Sequence, residues 1–137
     1  MIVTKERIQV FGNIIDDQFI PSEFGDQVTS LLSKFSTFHP EVIVELFQVM
    51  PNHVHLLLHV AESDNRVLGQ TISAFKSFTN RLYRGWLGAD LNSGVNIRLW
   101  QRGYFDHIVR SDVDLQETWS YIESNPMNWT KDDENSK

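Results

Sequence analysis

The 137-residue chain contains no cysteine. Disulfides, thiolate metal ligands and a cysteine nucleophile are therefore excluded. The lack of cysteine fits a cytoplasmic setting. Proline and glycine are sparse, four and seven residues, and no linker, repeat or low-complexity tract divides the chain. No apolar run approaches membrane-spanning length, so no membrane partner is expected. Met1-Ile2-Val3-Thr4-Lys5-Glu6 does not read as a secretory signal. Basic side chains are the minority, 12 against 18 acidic ones, for a net charge of −6. That argues against an indiscriminate nucleic-acid binder.

What is present suits one domain over 1–137, ending in a frayed tail, Lys131 to Lys137. Hydrophobic residues make up 41% and aromatic ones 12%, enough for a real core. Charge is unevenly spread. Between residues 76 and 110 stand Lys76, Arg81, Arg84, Arg98, Arg102 and Arg110 against only Asp90 and Asp106. A local patch of phosphate-binding cations on an acidic domain is one reading, and scattered solvated charge is the other.

Periodicity gives the elements. Arg7 to Ile15 alternates as a strand and Asp16-Asp17 forms a turn. Ser22 caps a helix over Glu23 to Phe35 with Phe24, Val28, Leu31, Leu32 and Phe35 on one stripe. Val42 to Val60 is strand, interrupted or bulged near Pro51-Asn52. Asn65 to Leu87 is helical, with Leu68, Ile72, Phe75, Phe78 and Leu82 at steps of three and four. Gly88 and Asn92-Ser93-Gly94 mark a loop. Val95 to Trp100 and Tyr104 to Val109 are short extended segments. Ser111-Asp112-Val113-Asp114 opens a last helix to about Ser124, stopped by Pro126. The order β-α-β-(β)-α-β-α predicts an α+β, ferredoxin-like split with an antiparallel sheet and helices mainly on one face.

Within the long strand, Met50-Pro51-Asn52-His53-Val54-His55-Leu56-Leu57-Leu58-His59 carries two histidines two apart. Strand residues at that spacing share a face, about 7 Å apart, so two imidazoles can converge on one divalent cation. A half-exposed strand with one polar face would show the same spacing. On the last helix Tyr121 and Asn125 are four apart and neighbours on one face. Leu115, Trp119 and Ile122 form that helix's apolar stripe, and Tyr121 projects roughly 100° or more away from it. A surface tyrosine would do the same. The two halves are chemically complementary. Two neutral imidazoles and one amide oxygen leave open positions on Mg²⁺ or Mn²⁺, and such an ion polarises a scissile phosphate. A phenol, with a reference pKa near 10, needs assistance to attack phosphorus. Its attack would leave a phosphotyrosine and free a 3′-hydroxyl, with rejoining as the near-isoenergetic reverse.

Those residues carry a resemblance. Met50 to Leu56 resembles the histidine–apolar–histidine (HUH) motif of the single-tyrosine, IS200-like transposases. Leu99-Trp100-Gln101-Arg102-Gly103-Tyr104-Phe105-Asp106-His107-Ile108-Val109-Arg110 and Tyr121-Ile122-Glu123-Ser124-Asn125-Pro126-Met127-Asn128-Trp129 resemble signatures of the REP-associated tyrosine transposases. So does Phe11-Gly12-Asn13-Ile14-Ile15 followed by Glu23-Phe24-Gly25. The resemblance spans nearly the whole chain. It implies a ferredoxin-like HUH fold, Mg²⁺ or Mn²⁺, and single-stranded DNA as partner, often with a hairpin. His53, His55 and Asn125 would be metal ligands and Tyr121 the nucleophile, in a cytoplasmic, nucleoid-associated enzyme that cleaves and transfers strands as a monomer or a homodimer. Lys76, Arg81, Arg84, Arg98, Arg102 and Arg110 are the candidate DNA contacts. Relatives carry a longer segment ahead of Phe11-Gly12, so the first strand is expected to be short or rebuilt. The alternative is an inactive or domesticated single-stranded nucleic-acid-binding module of the same fold. His59 could stand as a third imidazole near the metal but is expected to be structural; Tyr104 is a rival nucleophile expected instead to pack or stack; His107 and Arg110 are given no catalytic role.

Overall fold

A computed structural model describes residues 1–60, 65–88 and 98–129. The expected loop at Asn92-Ser93-Gly94, the start of the following extended segment at 95–97, and the tail Lys131 to Lys137 lie outside the described residues.

The chain opens with β1 (Ile2–Val3), a 3₁₀ turn (Lys5–Arg7), and the hairpin β2 (Gly12–Ile15) and β3 (Gln18–Pro21). The expected strand over Arg7 to Ile15 is thus only its second half. The strand that enters the main sheet is the two buried residues Ile2 and Val3, and the chain turns away at Glu6 and Arg7, both at positive φ. Asp16 and Asp17 also have positive φ, 52° and 63°. That pair of left-handed residues is the two-residue hairpin turn matching strand twist. Helix α1 (Glu23–Ser33) begins where the Ser22 hydroxyl accepts from Gly25 N–H at 3.0 Å and donates to Val10 O at 2.7 Å. Gly25 is needed there: a Cβ would stand 1.9 Å from the Phe11 carbonyl oxygen. The helix ends at Ser33, two residues before its expected end, and after Lys34 a separate turn, α2 (Phe35–Phe38), begins.

Strands β4 (Val42–Met50) and β5 (His53–Val60) form an antiparallel hairpin closed by Pro51-Asn52, with Met50 opposite His53. The interruption is therefore a full chain reversal, and the irregularity in register falls elsewhere, between Val44 and Leu46. β1 pairs antiparallel with β5. On the other edge of β1, Lys5 N–H donates to Leu99 O and Gln101 N–H to Val3 O, both at 2.8 Å, with Thr4 bridging Trp100. Across the sheet the order is 99–101, β1, β5, β4. Taken as four strands in chain order this is 4-1-3-2, the ferredoxin-like arrangement with the β2–β3 hairpin inserted.

Helix α3 (Asn65–Leu87) covers one sheet face with α1. Its buried stripe is Ile72, Phe75, Thr79 and Tyr83, whereas Phe78 is 46% exposed. Thr79 belongs to the stripe because its hydroxyl accepts from Trp100 Nε1–H at 2.8 Å and donates to Phe75 O at 2.7 Å. Phe11, Phe24, Phe75 and Trp100 form a chain of ring contacts 5.5–5.8 Å apart at the centre of the core. Along β5, Val54, Leu56 and Leu58 meet this core. By alternation, His53, His55 and Leu57 point to the opposite face, where α4 (Asp112–Glu123) lies against the sheet. Ser111 caps α4 by accepting from Asp114 N–H at 3.1 Å. The expected apolar stripe of α4 contracts to Ile122, since Leu115 is 38% exposed. Residues 104–109 form no strand. They are tied down where Phe105 N–H donates to Met1 O and the Met1 ammonium donates to Phe105 O.

Candidate active site on the face covered by the last helix

The hairpin turn delivers His53 as the first residue of β5 and alternation delivers His55 beside it. Both rings are buried, at 0% and 6% exposure. The residue after the α4 C-cap, Asn125, is 1% exposed. Its Oδ1 lies 3.2 Å from His53 Nε2 and 3.0 Å from His55 Nε2, and the two Nε2 atoms are 3.2 Å apart. Pro126 follows Asn125. It disfavours another helical residue before it, and α4 ends at Glu123 with Ser124 as its cap.

Three donor atoms on a triangle with sides of 3.0–3.2 Å fit a small divalent ion. Ligands at right angles on an octahedron with bonds near 2.1 Å lie about 3 Å apart. Among the described residues no three His, Cys, Asp or Glu side chains cluster; here the third donor is an amide. Two imidazoles and one amide oxygen carry no net charge, so a bound dication keeps its full charge for a phosphate.

Tyr121 stands one turn before Asn125. Its ring meets His55 edge-on, with centroids 5.5 Å apart at 82°, and remains 54% exposed. The nucleophile candidate is thus beside the histidines and open to a polymer substrate. Two further residues at this site were given no role in the sequence reading. Asn52 Oδ1 contacts His53 Nδ1 at 2.7 Å, and Trp129 stacks on the same imidazole, centroids 6.2 Å apart at 20°. The adjacency of Asn52 to His53 was the available signal for the first. The second is visible only once the chain beyond α4 folds back.

His107 Nε2 lies 2.8 and 2.9 Å from the two carboxylate oxygens of Asp114. Asp114 also accepts from Arg110 N–H at 3.2 Å. These contacts, the His107 bond first, hold the Asp114 carboxyl below the usual carboxylate range. Asp114 is seven residues, about two turns, before Tyr121 and on the same side of α4. His59 is exposed and outside the cluster.

The candidate DNA contacts differ in their surroundings. Lys76 donates through Nζ to the carbonyls of Gln101 and Gly103, and burial lowers its pKa. It therefore ties α3 to the 101–103 segment. Arg81 is exposed on α3, on the helical side of the sheet, and lines an apolar cavity of about 320 Å³ with Phe35, Phe38, His39 and Phe78. Arg84 is half-buried, and its Nε has no hydrogen-bond partner. Arg98, Arg102 and Arg110 are exposed.

The family model described as Transposase IS200 like matches residues 1–125. An uncharacterized protein of Haemophilus influenzae is 26% identical over 151 aligned positions, covering 96% of this chain and 80% of that protein. A second protein of the same organism, named "Putative REP-associated tyrosine transposase", is 29% identical over 85 positions, covering 58% of this chain and 46% of that protein.

Proposed function

This chain belongs to the IS200-like transposase family, and from that premise we propose that it cleaves and rejoins single-stranded DNA at hairpin-containing sites through a covalent 5′-phosphotyrosine. The observation that carries the reading is the convergence of His53, His55 and Asn125 within 3.2 Å, with the exposed Tyr121 ring beside His55.

In this reading His53, His55 and Asn125 hold Mg²⁺ or Mn²⁺, and the residues present fit it by spacing and donor type. When bound, such an ion polarises the scissile phosphate and offsets the charge that develops on it. The Tyr121 phenol oxygen then attacks phosphorus. The Oη–P bond forms, the P–O3′ bond breaks, the phenolic proton leaves to solvent, and the departing 3′-oxygen takes up a proton. Rejoining is the same step reversed by a 3′-hydroxyl. Burial of both imidazoles keeps water from competing for them, while exposure of Tyr121 lets a strand reach it. All four groups come from one chain, so the acting unit in this proposal is a monomer, and a homodimer is not needed to complete the site. Among the described residues no helix is long and apolar enough to cross a membrane. The proposed place of action is the cytoplasm, at the nucleoid.

The test is incubation with end-labelled single-stranded hairpins and Mn²⁺, resolved on a denaturing gel. A protein–DNA adduct that survives denaturation supports the reading. Hairpin binding with no adduct under Mg²⁺ or Mn²⁺ would favour a binding module that has lost catalysis.

A further inference from the structure

We propose that Asn52 is a positioning residue: it fixes the ring hydrogen of His53 on Nδ1 and so keeps Nε2 as a lone pair aimed into the His55–Asn125 gap. The structural part stands alone, and its consequence for metal binding rests on the function proposed above.

An amide oxygen can only accept, so at 2.7 Å from Asn52 Oδ1 the Nδ1 of His53 must donate. The amide cannot turn over without loss, because Asn52 Nδ2 faces the carbonyl of Arg7 at 3.5 Å, and an N–H₂ suits a carbonyl where an oxygen would repel it. The backbone of Asn52 is pinned as well. Its carbonyl accepts from Thr4 N–H at 2.9 Å. Asn52 and His53 are both fully buried, so water does not compete for either group.

With Nδ1 as donor, the neutral His53 ring presents a bare Nε2 towards Asn125 Oδ1, which is also an acceptor, at 3.2 Å. Two acceptors that close in a dry site repel unless something positive lies between them. In the metal-free protein the hydrogen on His55 Nε2 can fill that role, 3.0 Å from Asn125 Oδ1 and 3.2 Å from His53 Nε2. His53 is thus already in the metal-accepting tautomer, held there by Asn52. A partner on the far ring nitrogen of this kind orients a metal-binding histidine and raises its basicity.

The experiment is ¹⁵N NMR of the histidine rings in the metal-free wild-type protein at pH 8, with Mn²⁺ affinity measured by EPR. His53 should show hydrogen on Nδ1 and a free Nε2. Asn52→Leu should release that preference and weaken Mn²⁺ binding ten- to a hundredfold, while Asn52→Asp, which keeps an acceptor on Nδ1 but sets its other oxygen against the Arg7 carbonyl, should keep the hydrogen on Nδ1 and most of the Mn²⁺ affinity. A wild-type His53 with hydrogen on Nε2 overturns the proposal. So does a folded Asn52→Leu protein with unchanged tautomer and unchanged Mn²⁺ affinity. If Asn52→Leu fails to fold, the wild-type tautomer and the Asn52→Asp affinity decide. If His53→Ala binds Mn²⁺ as well as wild type, the metal reading fails, and the tautomer measurement still judges Asn52.

Discussion

Replacing Tyr121 with phenylalanine separates chemistry from structure more cleanly than any other change at this site. The substitution removes one oxygen from a side chain that is 54% exposed and keeps the ring. The edge-on contact with His55 at 5.5 Å is retained, so the roughly 0.5–1.5 kcal/mol that such ring pairs contribute is retained with it. What is lost is at most a hydroxyl hydrogen bond on a half-solvated group, about 1 kcal/mol or less. For a domain of this size that corresponds to a change in Tm of about 4 °C at most. Hairpin affinity should be similarly unaffected. The covalent adduct should vanish, because the attacking oxygen is gone and neighbouring groups do not replace it. The assay pairs thermal unfolding and a filter-binding isotherm with the denaturing gel for adduct. Tyr104→Phe, which alters a tyrosine 36% exposed in the non-strand 104–109 segment, is the control and should keep most activity. An adduct that persists in Tyr121→Phe refutes the reasoning. An adduct that disappears in Tyr104→Phe and persists in Tyr121→Phe shows that the other tyrosine attacks.

His53→Ala and His55→Ala should each cut Mn²⁺ affinity by more than tenfold and abolish cleavage, read by EPR titration and gel; full activity in both would remove the site assignment. Lys76→Met takes the donor from the Gln101 and Gly103 carbonyls, and urea unfolding should show a loss of about 1 kcal/mol for this partly solvated group; unchanged stability would return Lys76 to the DNA-contact candidates. Charge reversal of Arg81 and Arg102 together should weaken hairpin binding and flatten its salt dependence by about two phosphate contacts; an unaltered slope would show that neither touches DNA. The Asp114 carboxyl titrates lower in the folded chain than unfolded, so its contribution to stability is complete above the ordinary carboxylate pKa, near 4, and is lost as pH falls through the folded value. Asp114→Asn should therefore have a shallower acid limb below about pH 4 in a circular-dichroism titration; superimposable acid limbs would show that the His107 pair contributes nothing.

Much of this architecture was legible from local chemistry. The Ser22 and Ser111 caps, the Asp16-Asp17 turn, helix α3 to the residue and the shared face of His53 and His55 depend on neighbours within a few positions. Periodicity and capping report such neighbours directly. The errors lie where distant partners decide. Thr79 entered the α3 stripe in place of Phe78 because the Trp100 indole needed an acceptor inside the core. Leu115 stayed 38% exposed whereas Ile122, near the C-terminal end of α4, is buried. A short first strand was expected, but that it is Ile2–Val3 was set by β5 on one side and by Leu99 and Gln101 on the other. The same division holds at the site. Sequence alone named His53, His55, Tyr121 and Asn125, each from its own short segment. That Asn125, 70 residues beyond His55, comes within 3.0 Å of it was decided by tertiary structure. So was the hold of Asn52 on the far nitrogen of His53. Spacing along a strand or helix fixes which way side chains face, but only packing α4 across the sheet fixes what they meet.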